Sequence, residues 1–68
     1  MNNDIEKRFT YHPPRLDQSV RYGEIRDNAR VFAALLERLC PESRELSTAL
    51  TNLDAAVMFA NAAIARNE

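Results

Sequence analysis

The chain has 68 residues, 46% of them hydrophobic and 28% charged, with one Gly, three Pro and one Cys. This composition fits one small helical domain over 1–68 and excludes a disordered tail, a collagen-like repeat and a disulfide scaffold. Nine basic against ten acidic residues give a formal charge of −1, so nothing draws the whole chain to DNA or long RNA. No apolar run exceeds the six residues of Val31 to Leu36, short of the roughly 18–20 that a membrane span needs. No basic stretch followed by an apolar one opens the chain, so no secretory leader is expected. Cys40 has no internal partner and fits a reducing cytosol, so a cytoplasmic location is expected.

Residues 1–18 read as an arm. Asp4 to Arg8 allow one short helical turn, which Phe9-Thr10-Tyr11-His12-Pro13-Pro14 cannot continue; the two prolines impose an extended, stiff segment. The arm interleaves cations and rings: Arg8, Phe9, Tyr11, His12 and Arg15. Aromatic faces stack on nucleobases and guanidinium groups grip phosphates. Equally, Phe9 and Tyr11 could be staples that pin the arm to the rest of the fold, with the arginines only solvated. Spacing alone leaves the two readings level.

The spacing predicts a helix over 19–40. Tyr22, Ile25, Ala29, Phe32, Leu36 and Leu39 form one apolar stripe, with Asp17 or Ser19 as the candidate N-cap. Arg26 and Arg30, four apart, share one side of it. Pro41 ends this helix, because its ring disfavours the α conformation at Cys40. A second helix is predicted over 43–66, with Glu42 and Glu45 near its start, Arg66 at its end, and a stripe of Leu46, Leu50, Leu53, Val57, Ala60 and Ile64. Two such helices joined by a few residues make an antiparallel hairpin. The fold class is therefore all-α.

One seam does not use all the apolar surface. Ala55, Met58, Phe59 and Ala62 lie off the stripe of the second helix. Chains this short seldom hold a core without metal, disulfide or partner, so assembly into a helical homo-oligomer is expected. The alternative is that the arm folds back over this face.

No catalytic constellation is visible, and the chain reads as a non-enzyme. His12 is the only histidine, beside two prolines, where an exposed or loop-packed ring is the plain reading. Cys40 has no base near it in sequence. One His and one Cys fall short of a zinc site, so no metal or cofactor is expected. A single glycine, Gly23, excludes a Gly-rich phosphate loop. Two functional classes remain. One is capture of a small anionic nucleotide, which needs only a few cations; the other is a helical-hairpin protein-interaction module with no nucleotide ligand.

The stretches Glu6-Lys7-Arg8-Phe9-Thr10-Tyr11-His12-Pro13-Pro14 and Arg21-Tyr22-Gly23-Glu24-Ile25-Arg26, then Cys40-Pro41-Glu42-Ser43-Arg44-Glu45 and Ala60-Asn61-Ala62-Ala63-Ile64-Ala65-Arg66-Asn67, resemble the second anti-CBASS family of phage proteins. The likeness runs over nearly the whole chain. Members of that family are sponges for the cyclic oligonucleotide messengers of bacterial immunity. The resemblance implies a homohexamer in the host cytoplasm that binds cyclic dinucleotides between protomers and leaves them intact. It gives base stacking to Tyr11 and phosphate contact to Arg26, where many relatives carry lysine. His12, Arg8 and Arg30 are candidate further contacts. A separate cyclic trinucleotide site would draw on Asn28 and Arg66.

Overall fold

The computed structural model describes residues 2–9 and 15–68, which form three helices: α1 (Asn2–Phe9), α2 (Leu16–Leu39) and α3 (Arg44–Asn67). The fold is all-helical, with α2 and α3 as the arms of a hairpin and α1 laid against α3. The expected short turn at Asp4 to Arg8 is a full eight-residue helix.

α2 begins at Leu16, three residues before the expected start at 19. Its cap is neither Asp17 nor Ser19, which both fall inside the first turn. Arg15, in extended conformation, is the N-cap. Arginine has no side-chain oxygen to offer the free N–H groups of a helix start. Gln18, three residues on, works in the opposite direction: its Oε1 accepts the Arg15 backbone N–H at 2.9 Å.

The other helix ends follow the sequence closely. Cys40 leaves the helix with φ −109° and ψ 139°, the extended geometry that a following proline favours, and its N–H closes the last turn on the Leu36 carbonyl at 2.9 Å. Ser43 caps α3, its Oγ accepting the Leu46 N–H at 3.1 Å. Glu45 in the first turn and Arg66 in the last complement the helix dipole.

All six predicted stripe residues of α3 are half-buried. On α2 the stripe is corrected. Tyr22, Ile25, Ala29 and Leu36 are half-buried, but Phe32 is 48% and Leu39 68% exposed, and Ala33 and Leu35 are half-buried instead. Ala33 and Leu36, four and seven residues on from Ala29, carry the seam in this half of α2.

The chain measures 44 × 28 × 11 Å between Cα atoms, little deeper than a single helix layer. Among the described residues no apolar side chain is buried, and the one buried residue is Gln18. Met58 and Phe59 stay 57% and 64% exposed, as expected for the second apolar surface. Ile5 and Phe9 of α1 are largely exposed as well. At 82% exposure Phe9 is not a staple.

The expectation that no segment approaches a membrane span is also corrected. α3 has 24 residues, and an 18-residue window of mean hydropathy 1.2 with no more than two charged side chains, so length and composition alone would allow it to cross. Single polar residues such as Asn52, Asp54 and Asn61 interrupt its apolar runs, while its alanines raise the average. Near the centre of a span, Asp54 would oppose insertion by about 2.5–3.5 kcal/mol.

Candidate functional site

The hairpin seam has a groove on either side. One is bordered by Arg26, Ala29, Arg30 and Ala33 of α2 and by Leu53, Asp54 and Val57 of α3, with a volume of about 260 Å³. The helical spacing does what it promised here, placing both guanidinium side chains on one wall. Arg26 extends back along its own helix, its Nη2 lying 3.7 Å from where a Cβ on Gly23 would sit. Both arginines are exposed. Sequence reasoning missed Asp54, because it comes from the other helix and no local spacing links it to Arg26.

The opposite groove is bordered by Ile25, Asn28, Phe32, Ala56 and Ala60 beside the same seam residues. Asn28 therefore faces away from Arg26 and Arg30, and its Nδ2 donates to the Glu24 carbonyl at 2.8 Å. Arg66 lies in the last turn of α3. Ala56, which shares the groove with Asn28, is ten residues earlier, a rise of about 15 Å. Asn28 and Arg66 are therefore set well apart along the hairpin, with neither lining the same groove as the other in the described structure. Arg8 is on the solvent side of α1. Tyr11 and His12 lie outside the described residues.

The best-defined polar geometry sits at the open end of the hairpin, where none was expected. Arg21 of α2 grips the carboxylate of Glu68 with both terminal nitrogens, Nη1 donating to Oε2 at 2.9 Å and Nη2 to Oε1. Arg15 Nη2 donates to the Glu68 main-chain oxygen at 3.1 Å, and Asp17 pairs with Arg21 at 3.2 Å. The hydrogen bonds from Arg21, helped by one from Gln18 and the charge of Arg15, hold the Glu68 carboxyl at about 2 despite partial desolvation. The same bond to Glu68 raises Arg21 above its already high range. A depressed carboxyl contributes its stability above the unfolded value near 4.5 and loses it only as pH falls through about 2. This clasp is accordingly closed across the neutral range and is not a switch there. It joins residues 47 apart in sequence, and only the antiparallel pairing of α2 and α3 reveals it.

Among the described residues no group of three or more His, Cys, Asp or Glu side chains is placed to hold a metal ion. Cys40 is exposed at the C-cap of α2. Each groove is open and shallow, and the 260 Å³ beside Arg26 is below the roughly 300–1,000 Å³ of ordinary small-molecule pockets.

Fold and surface define a small helical-hairpin protein with a cationic groove beside its seam. The chain belongs to the Acb2/Tad1 family, whose hairpin-domain model matches residues 1–65. No curated protein and no solved structure matches it.

Proposed function

We propose that this protein sequesters cyclic dinucleotides, and cyclic trinucleotides at a separate site, without cleaving them, and so blunts the immune signalling of a bacterial host. Membership of the Acb2/Tad1 family over residues 1–65 is the observation that carries this reading. The grooved surface supports it in kind. A groove with two guanidinium groups but too little volume of its own fits a ligand shared between copies of the chain.

A cyclic dinucleotide has two bases and two phosphates related by a near two-fold axis. A two-fold junction between protomers presents each side chain twice, once per half-ligand. Two Tyr11 rings stacked on two bases contribute about 1–3 kcal/mol each. Two Arg26 groups on two phosphates add about 1.5–3 kcal/mol each. The sum, roughly 5–12 kcal/mol before the cost of association, leaves room for Arg30, Arg8 and His12 to contribute. Asn28 and Arg66 are assigned to the trinucleotide. The exposed Met58 and Phe59 surface is assigned to contacts that build a hexamer.

Native mass spectrometry with a panel of cyclic di- and trinucleotides tests the whole reading. The expected spectrum is a multimer of defined mass with ligand bound, and proteinase digestion then releases that ligand with its mass unchanged. A monomer that binds none of the panel would instead support the protein-interaction module, and linear products would mark a hydrolase. Within the site, Arg26→Ala should weaken dinucleotide binding by about 1.5 kcal/mol or more per lost phosphate contact. It should also flatten the dependence of affinity on salt, because fewer charges remain to be screened; titration calorimetry at two ionic strengths reads both effects.

A further inference from the structure

One face of α2 points away from its seam with α3. It carries Glu24 and Asp27, then Val31, Ala34 and Leu35, then Arg38, at the three- and four-residue steps that hold a stripe on one side of a helix. Val31, Ala34, Leu35 and Arg38 line a hollow of about 410 Å³ there. Val31 is 69% exposed, and Ala34, Arg38 and both carboxylates are exposed too. Among the described residues nothing of the same chain covers this face, because α1 lies against α3 and not against α2. Nor do Glu24, Asp27 and Arg38 form an ion pair among those residues, although Arg21 forms two.

The order of charges along the stripe selects an occupant. Acid stands at its N-terminal end, base at its C-terminal end, and an apolar step lies between them. A parallel copy would set acid beside acid and base beside base. An antiparallel copy, related by a two-fold axis with Val31 opposite Ala34, sets Asp27 of each chain opposite Arg38 of the other. Glu24, one turn before Asp27, adds to the negative field at that cation. The small Ala34 makes room for the branched Val31, and the opposite charges at the flanks fix orientation and register.

We propose that this face of α2 is a two-fold contact with a second copy of the chain, held in register by Asp27 and Arg38. It is separate from the surface of Met58 and Phe59, which belong to the other long helix. The inference goes beyond nucleotide capture and does not depend on what either groove holds.

The test is charge reversal, read by sedimentation velocity and native mass spectrometry of the full-length protein over a range of concentrations. Arg38→Glu sets acid against acid at both ends of the contact and should weaken self-association about tenfold or more. Combining it with Asp27→Arg restores opposite charges and should bring back the wild-type mass. Positions 27 and 38 are eleven residues apart on one helix, a rise of about 16.5 Å, so they cannot compensate for each other within a chain. Recovery in the double variant therefore reports a contact between copies, which a mere loss of helix stability would not produce. Wild-type association in Arg38→Glu, or no recovery in the double variant, would overturn the proposal. So would a wild type that stays monomeric throughout, which leaves the face to some other protein. Failure to bind cyclic nucleotides while the rescue is observed removes the sequestration reading alone and leaves this contact standing.

Discussion

Tyr11→Ala is expected to lower affinity for a cyclic dinucleotide by about 2 kcal/mol or more, at least about 30-fold, with the subunit count unchanged. The size of the effect follows from symmetry. A stacking ring is worth about 1–3 kcal/mol per base, and a two-fold junction removes two rings with one substitution. Tyr11→Phe keeps the ring face and should retain most of the affinity, which separates stacking from any hydrogen bond made by the hydroxyl. Calorimetry on both variants decides the matter, and undiminished binding by Tyr11→Ala would remove Tyr11 from the site.

Phe59→Asp is expected to break the assembly. Phe59 and Met58 are mostly exposed on the single chain, and no described apolar side chain is buried to compensate. If that surface is where copies meet, the substitution places an unpaired carboxylate in each contact, a penalty on the order of several kcal/mol per copy. Native mass spectrometry should show the multimer reduced to smaller species, while Phe59→Leu, which keeps the surface apolar, leaves it intact. A Phe59→Asp protein of wild-type mass would exclude this surface from the interface.

Much of the hairpin was readable because its signals are local. Pro41 and Ser43 set the break between α2 and α3 through the chemistry of neighbouring residues, and the apolar period of α3 fell wholly on its half-buried side. Arg26 and Arg30 meet on one wall because four residues make nearly one turn. What escaped were features that depend on the second helix. Glu68 closes on Arg21 only once the two long helices run antiparallel. Asp54 joins the arginine groove for the same reason, and Phe32 yields its place on the seam to its neighbour Ala33, a choice that the packing of α3 decides. The start of α2 was misplaced because the search was for a capping oxygen on the first residue. Here the oxygen belongs to Gln18 and points backwards.

If copies of this chain supply the dry interior that no described residue of a single copy provides, folding becomes a matter of quantity as well as of temperature. Where the dry interior forms only between copies, dilution acts in the same direction as heat, and the midpoint of melting climbs with protein concentration. Early in synthesis, when copies are few, a sponge built in this way would be both least able to absorb a signal and most open to proteases. Its protective capacity would then rise more steeply than its abundance.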